Sequence, residues 1–377
     1  MTTCLMIMNN ESVSLAVDSA ATFDNMKTST GFDKLFSLDD KLPIALMIYG
    51  SSNFEGILME NLISDFKKET DFTKINTVNK IKKELISFIG KRTPNCDIKK
   101  YADEYLNKFK SNVFSLLKNI GVDEFNNNMK HYAALAVPDF IKNSEEYNQY
   151  NEFFRDLVSR LGCGDYVALK KFFFYTLLPI TGIVIVGFGA NENFPSYINL
   201  EIIGNNNGKI EMIMEKSKLN YKKNIIIPFA QKNVINSYVN GLNQNLYYSL
   251  KEFVPNFLFD FLYAFLKSED NLKEIEVDDE KIKHEILKQS KIFMESIDTF
   301  RELLSIRTSY GLSLLSKESM AEFAEILVKL TGFYYKTSQN LDIVGGDVNV
   351  AVLSKMDGFM WIKKHTYYDR NLNISNI

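Results

Sequence analysis

The sequence predicts an α+β protein, in which helices pack on the faces of largely antiparallel sheets. Three observations lead to this prediction: strand-like segments occur in three separate blocks, two long helical blocks lie between them, and no linker rich in Pro, Gly or Ser divides the chain. The 377 residues are 46% hydrophobic, which is enough for a sizeable core. We therefore expect a single domain with helical insertions.

The N-terminal block is predicted to contain two pairs of strands. The predicted strands are residues 2–9, 12–18, 33–38 and 43–49. Asn9-Asn10 is a residue pair typical of a hairpin turn, and Asp39-Asp40-Lys41 is the turn of the second pair. A strand that begins at residue 2 would hold an N-terminus that otherwise frays.

The first helical block is predicted to begin near Ser52, whose side chain would cap a helix. From about 70 to 178, apolar residues recur at spacings of three and four. The clearest example is "YADEYLNKFKSNVFSLLKNIG", which ends at Gly121 as helices often end at glycine. The segment "HYAALAVPDF" interrupts the pattern and is predicted to be a short extended piece.

The uncharged stretch "FFFYTLLPITGIVIVGFGA" at 172–190 needs comparison with a membrane span. A transmembrane helix needs about 20 apolar residues. However, Pro179 and Gly182 divide this stretch into an aromatic half and a β-branched half. We predict the end of a buried helix, a turn and a core strand over 182–187, and no association with a membrane.

The rest of the chain is predicted to contain strands, then helices, then a closing hairpin. The predicted elements are, in order, strands at 182–189, 196–203 and 208–214 with a turn at "GNNNGK", a short apolar run "NIIIPFA", helices from about 231 to 267, a charged loop at 268–281, helices up to Gln339, and a hairpin made of "DVNVAVLSK", "MDG" and "FMWIKKH".

Composition and charge argue against several classes of protein. The net charge of −3, without a local basic cluster, argues against a nucleic-acid partner. Cys4, Cys96 and Cys163 form no CxxC motif and are typical of reduced thiols in the cytoplasm, and Cys4 is expected to be a small buried residue. The three histidines lie far apart in sequence, so no zinc site is expected. The first residues lack the basic and long apolar regions of a signal peptide.

Thr2 is the first candidate catalytic residue. After removal of Met1, a free N-terminal threonine supplies a hydroxyl nucleophile and, in its own α-amine, a general base. An α-amine has an ordinary pKa near ~8, close enough to neutrality to accept a proton. Aminopeptidases remove an initiator methionine when the next residue is small, and threonine meets this condition.

Three further residues fit a site around Thr2. Asp18 ends the second predicted strand, Lys34 opens the third, and Gly50 in "IYGSS" lies at a predicted strand-to-helix junction. A lysine ammonium beside the α-ammonium would lower the pKa of that amine, and a carboxylate would neutralise the lysine. The backbone N–H of Gly50 would stabilise an oxyanion.

In these segments the sequence resembles the proteasome β-subunits and HslV peptidases, which are N-terminal nucleophile hydrolases. The resembling segments are "TT" at 2–3, "LAVDSAAT" at 15–22, "KLFSLDDKLPIALMIYGSS" at 34–52 and "LDIVGGDVNVAVLSKMDG" at 341–358. The N-terminal match covers about fifty residues and keeps Thr, Asp and Lys in order at the family's spacing, whereas the C-terminal match is looser.

The resemblance implies a role for each residue of this constellation. Thr2 would be nucleophile and base, Asp18 would pair with Lys34, Lys34 would tune the amine, and Gly50 would donate to the oxyanion. Asp342 falls where the family has an aspartate that supports the catalytic amine. The implied activity is that of a threonine-type peptidase.

The resemblance also implies a fold and an assembly. The implied fold is a four-layer αββα sandwich, here one domain over residues 1–377 with helical insertions at about 70–178 and 245–317. The implied substrate is a peptide or protein, and no metal or organic cofactor is needed. Family members form rings that enclose their sites, but the inserted helices leave a monomer or dimer open as well. The sequence does not identify an unfoldase partner.

The chain departs from the family pattern at its supporting serines. Where the family has a serine shortly after the aspartate, this chain has Ile343, Val344, Gly345 and Gly346. Near the family's Gly-Ser-Gly turn it has "IIIPFAQ". Two alternatives stay open beside the peptidase: a catalytically inactive scaffold subunit, which the altered serine positions favour, and an amidase that acts on a small non-peptide amide.

Overall fold

The computed structural model describes residues 3–23, 27–29, 31–39, 42–134, 137–268, 279–338 and 345–366. The strands in these residues are β1 (Thr3–Met8), β2 (Ser12–Asp18), β3 (Ala21–Phe23), β4 (Lys27–Ser29), β5 (Leu35–Ser37), β6 (Ile44–Gly50), β7 (Asn53–Phe54), β8 (Ile57–Leu58), β9 (Thr181–Gly187), β10 (Ser196–Asn206), β11 (Lys209–Lys218), β12 (Ile225–Ala230), β13 (Val348–Ser354) and β14 (Gly358–Lys363). The α-helices are α1 (Met59–Glu69), α2 (Val78–Arg92), α3 (Ile98–Ile120), α4 (Val122–Ala134), α5 (Asp139–Lys142), α6 (Glu145–Gln149), α7 (Asn151–Leu161), α8 (Tyr166–Leu177), α9 (Asn233–Asn240), α10 (Gln244–Ser268), α11 (Asp279–Leu312) and α12 (Lys317–Ser338).

The chain contains both sheets and helices, so the predicted mixed composition is confirmed. It divides into two compact units that alternate along the sequence. The first unit comprises Met1–Leu35, Asn193–Pro195 and Asn220–Ile377, and the second comprises Phe36–Glu192 and Ser196–Leu219. The prediction of one domain over residues 1–377 stays a prediction.

The first unit contains a five-stranded antiparallel sheet in the order β12-β1-β2-β13-β14. The β1–β2 hairpin turns at Asn9, whose side-chain oxygen accepts hydrogen bonds from the N–H groups of Glu11 and Ser12. The predicted turn at Asn9-Asn10 is therefore confirmed. The predicted closing hairpin is also present as β13 and β14, and β13 lies beside β2.

Helix α12 covers one face of this sheet. Leu5 and Ile7 of β1 and Val350 of β13 pack in one core with Ala324 and Leu327 of α12. Alternate residues of β1 point to the opposite face, yet all six residues of β1 are buried. A strand that is buried on both sides carries an almost continuous apolar run, as β1 does.

The second unit contains the other five-stranded sheet, in the order β11-β10-β9-β6-β5. Helices α1 and α2 pack on it through residues such as Phe66 and Leu85, which share a core with Leu46 of β6 and Ile185 of β9. The strands β10 and β11 meet at 207–208, where both residues have a positive φ, so the predicted "GNNNGK" turn is a two-residue hairpin turn. The predicted turn Asp39-Asp40-Lys41 lies partly outside the described residues.

A helical cluster forms the second core of this unit. Its largest buried side chains come from α3, α4, α7 and α8, and they are Phe109, Phe125, Phe154, Phe173 and Phe174. Several of these rings meet edge to face, as for Phe109 and Phe173 with centroids 5.0 Å apart. The region from about 70 to 178 is therefore mostly helical, as predicted.

The prediction of a helix that begins near Ser52 is wrong. The chain instead forms the short strands β7 and β8, because Glu55 and Gly56 both adopt positive φ and turn the backbone sharply. Helix α1 begins at Met59 without a side-chain cap. The Ser51 hydroxyl bonds to Asn53 within this turn, and such local bonds compete with helix formation.

One further segment differs from its prediction, and another, for which the sequence predicted no element, is a strand. In "HYAALAVPDF" the described residues are mostly helical, because α4 continues to Ala134 and α5 begins at Asp139, directly after Pro138. The apolar run "NIIIPFA" is strand β12, which pairs with β1. Pro228 has no N–H to donate to a neighbouring strand. It is tolerated in β12 because β12 lies at the edge of its sheet and pairs on one side. The charged loop predicted at 268–281 lies mostly outside the described residues.

The stretch at 172–190 has the predicted arrangement of helix, turn and strand. Helix α8 ends at Leu177, and β9 begins at Thr181 in the middle of its sheet. Among the described residues, no helix combines the length and the apolar character needed to cross a membrane.

Candidate active site

Asp18 is the centre of the candidate site in the first unit. It is the last residue of β2, its side chain is fully buried, and it lies opposite Val348 of β13. Its Oδ1 atom accepts a hydrogen bond from the backbone N–H of Thr3 at 3.1 Å, and its Oδ2 atom accepts one from the N–H of Gly345 at 3.3 Å. The carboxyl group thus connects the start of β1 with the segment that leads into β13.

Lys34 is the cationic partner of Asp18. Its Nζ atom lies 2.8 Å from Asp18 Oδ1, and it also donates a hydrogen bond to the carbonyl oxygen of Ala20. The lysine side chain is almost entirely buried. The structure therefore brings together two of the residues that the sequence singled out, although they lie sixteen positions apart.

The electrostatics of this pair depend on burial. Burial raises the pKa of the Asp18 carboxyl, while the Lys34 ammonium and the N–H groups of Thr3 and Gly345 act in the opposite direction. These three partners of the carboxyl are all donors, so each of them favours the ionised form. An ion pair of this kind places a positive charge inside the protein without leaving it uncompensated.

Three partners at this site are backbone groups: the N–H of Thr3, the carbonyl of Ala20 and the N–H of Gly345. Sequence reasoning did not find them, since every residue type except proline offers the same donor and acceptor. Gly345 lies in the segment "LDIVGGDVNVAVLSKMDG", and this position was the sequence feature that could have pointed to its role at the site. The following Gly346 has a φ of +78°, a conformation that favours glycine.

Gly50 belongs to the second unit, where it ends β6. Its φ is +76°, and a Cβ atom there would lie 2.4 Å from the carbonyl oxygen of Ile180, so the position requires glycine. The predicted strand-to-helix junction is wrong, because β7 and β8 separate Gly50 from α1. A helix dipole therefore does not contribute at this N–H.

The remaining sequence-predicted site residues, Thr2 and Asp342, lie outside the described residues. Cys4 in β1 is fully buried, and burial raises the pKa of its thiol. This agrees with the expectation of a small buried residue, since a nucleophilic cysteine needs a lowered pKa. Two buried hydroxyls near the site, Thr3 Oγ1 and Ser19 Oγ, have no hydrogen-bond partner among the described residues.

Similarity to known proteins is found at the level of structure. No family model matches the chain. No curated protein matches it either. Among solved structures, the chain is similar to Anbu (ancestral beta-subunit) from Yersinia bercovieri, with 8% sequence identity and a TM-score of 0.35, over 97% of this chain and 89% of that one. A TM-score of this size does not establish a shared fold.

Proposed function

We propose that this chain is a threonine-type N-terminal nucleophile hydrolase with a four-layer αββα fold. The observation that carries the proposal is the buried Asp18 carboxylate, which accepts hydrogen bonds from both Lys34 Nζ and the N–H of Thr3. That N–H is the amide of the peptide bond between Thr2 and Thr3. Thr2 precedes this amide and would therefore be held beside the buried Lys34.

The proposed reaction is acyl transfer followed by hydrolysis. With Met1 removed, the α-amine of Thr2 takes the proton of the Thr2 hydroxyl, and Oγ1 attacks the carbonyl carbon of a peptide bond. An N–H donor would stabilise the resulting oxyanion, and Gly50 is the residue that the sequence predicts for this role. The C–N bond then breaks, the leaving amine takes the proton from the α-ammonium, and an ester remains on Thr2. Water, activated by the same amine, hydrolyses the ester and releases the acid.

Lys34 and Asp342 would support this reaction without bonding covalently to the substrate. The Lys34 ammonium would lower the pKa of the α-amine, so that more of the amine is neutral and able to accept a proton. Asp342 would support the charged amine through its carboxylate. The proposed substrates are peptides or proteins.

The proposal is tested by intact-mass analysis of the purified chain before and after treatment with a β-lactone, which acylates nucleophilic hydroxyls. We expect loss of Met1 and a single adduct on Thr2, together with peptide hydrolysis. The variant Thr2→Ala should give neither adduct nor hydrolysis. Thr3→Val is the matched control, because it replaces a neighbouring buried hydroxyl without a described partner by a methyl group of similar size. A chain without Met1 that stays unlabelled, and whose hydrolysis persists in Thr2→Ala, would contradict the proposal.

A second candidate is a catalytically inactive scaffold subunit with the same fold. The observation that favours it is the sequence Ile343-Val344-Gly345-Gly346, which lacks a serine where the resembling family has one. Quantitative retention of Met1 in the native protein would support this candidate, because the amine would then belong to methionine.

A further inference from the structure

The outward face of α10 carries a row of exposed phenylalanines. Phe253, Phe257, Phe261 and Phe265 are each 48–61% exposed. They are spaced four residues apart, and the first three rings are nearly parallel, with centroids 5.4 and 6.3 Å apart. Over residues 253–265 the sequence contains one charged residue, Asp260. We call these four phenylalanines the phenylalanine ridge.

Helix α10 packs on α11 by other residues. Near the start of α10, the Tyr247 hydroxyl donates to Asp298 at 3.0 Å, and the Arg301 guanidinium lies 4.2 Å from the centre of the Tyr247 ring. Other apolar residues along α10 are partly buried, in contrast to the phenylalanine ridge, and they include Leu250, Val254, Leu258 and Leu262. The ridge is therefore additional to the partly buried apolar surface of α10.

Helix α11 carries the second exposed apolar surface of this helix pair. Positions 292, 296, 299, 303, 306 and 310 alternate in spacing between four and three residues, which is the spacing of a coiled-coil seam, and two of these positions are polar, Ser296 and Thr299. We call its apolar members, together with the adjacent Phe300, the α11 stripe: Ile292, Phe300, Leu303, Ile306 and Tyr310. They are 49–68% exposed.

The area of these two surfaces can be compared with what a stable dimer needs. A large side chain buries on the order of 200 Å² when fully covered, so nine such residues at about half exposure present on the order of 900 Å². A standard interface takes about 800 Å² from each partner. The exposed surface of α10 and α11 is therefore sufficient for one interface between two copies.

We propose that two copies of this chain associate through these helices, with the phenylalanine ridge of each copy packed on the α11 stripe of the other. A two-fold axis satisfies both contacts at once, since each copy offers both surfaces. The product is a four-helix bundle made of two helix pairs. Asp260 precedes Phe261 of the ridge, Arg307 follows Ile306 of the stripe, and both charged residues are exposed. The packing therefore brings an acid on one copy towards a base on the other. This proposal does not depend on the proposed hydrolase activity.

The experiment is sedimentation equilibrium of the full chain over a range of micromolar concentrations, with three proteins compared. We expect the wild type to have twice the monomer mass of 43.4 kDa and to dissociate on dilution. The double variant Phe257→Glu/Phe261→Glu should be monomeric, because it places four charges in the interface. Tyr248→Glu is the matched control: it changes an exposed aromatic residue of the same helix, nine positions from Phe257 and thus on the opposite side. It should remain a dimer.

Circular dichroism and thermal unfolding establish that each variant folds, which we expect because glutamate is a good helix former at exposed positions. As a second test, Phe257→Ala/Phe261→Ala should weaken the dimer at least tenfold without adding charge. A monomeric wild type would overturn the proposal. The same holds if the monomer sediments with phospholipid vesicles, because the exposed helices would then bind lipid and not a second copy. An oligomer that neither double variant weakens would overturn it too, since the contact would then lie elsewhere.

Discussion

At the scale of single residues, the buried ion pair of Asp18 and Lys34 is the feature with the largest expected effect. Both side chains are almost completely removed from water, and an isolated charge in such a place is costly. The pair is tolerated because each charge compensates the other and because backbone N–H groups complete the coordination of the carboxylate.

Lys34→Met should therefore lower the free energy of unfolding by about 3–5 kcal/mol, because it leaves Asp18 buried and unpaired. The double variant Asp18→Asn/Lys34→Met removes both charges and should recover part of this loss. Urea unfolding monitored by circular dichroism measures both. If the double variant is as unstable as the sum of Lys34→Met alone and Asp18→Asn alone, the two residues are not coupled in the way the structure indicates.

Gly50 is a second residue at which one added carbon should matter. Gly50→Ala combines a positive φ with a Cβ atom that meets the carbonyl oxygen of Ile180. Gly56→Ala is the matched control, because its φ is +84° but no atom lies within 4 Å of the added carbon. We expect the control to lose about 1–2 kcal/mol from backbone strain, and Gly50→Ala to lose a further ~1–3 kcal/mol from overpacking. Thermal and urea unfolding would show equal losses if the contact with Ile180 were unimportant.

At the scale of elements, Asn205 joins the end of α2 to the β10–β11 hairpin. Its buried Nδ2 atom lies 2.9 Å from the carbonyl oxygen of Gly90 and 2.8 Å from that of Thr93, and its Oδ1 atom accepts the N–H of Gly208. One side chain thus satisfies backbone groups of both a helix end and a turn. The helix approaches the turn closely, since a Cβ atom on Gly90 would lie 2.2 Å from the oxygen of Gly208.

Asn205→Ala should cost about 1–3 kcal/mol in the free energy of unfolding, because it leaves buried backbone groups without partners. Asn95→Ala removes an exposed hydrogen-bonded asparagine from the same region, and we expect it to cost less than ~1 kcal/mol. Equal effects of the two substitutions in urea unfolding would show that burial at Asn205 is not what makes its hydrogen bonds important.

At the scale of the whole molecule, the proposed activity depends on which group begins the chain. The proposed site combines a residue near the N-terminus with Asp18 and Lys34, so a peptide added before Thr2 would convert its amine into an amide. An amide nitrogen is not a general base, and the hydroxyl would lose its proton acceptor.

A permanent N-terminal extension should therefore abolish labelling by the β-lactone and peptide hydrolysis. The same extension at the C-terminus is the matched control and should leave both unchanged. Intact-mass spectrometry measures the labelling, and thermal unfolding should show similar midpoints for the two proteins. Full labelling of the N-terminally extended chain, with the extension still attached, would contradict an N-terminal nucleophile.

Local sequence was enough to predict the alternation of strand and helix blocks, the β1–β2 and β13–β14 hairpins, and the helix, turn and strand of residues 172–190. These features depend on periodicity and on turn residues, which act over a few positions. The order of residues also identified Asp18 and Lys34 as a candidate pair. The roles assigned to Thr2, Gly50 and Asp342 stay predictions.

The backbone groups that complete the site became known only from the folded chain. The N–H groups of Thr3 and Gly345 bind Asp18 because β1, β2 and β13 are neighbours in one sheet, and backbone groups have no sequence signal. The structure also shows that "NIIIPFA" is strand β12. It is a strand because it pairs with β1, and its own sequence pattern does not reveal that partner. Pairing between distant segments depends on packing, which local propensity does not record.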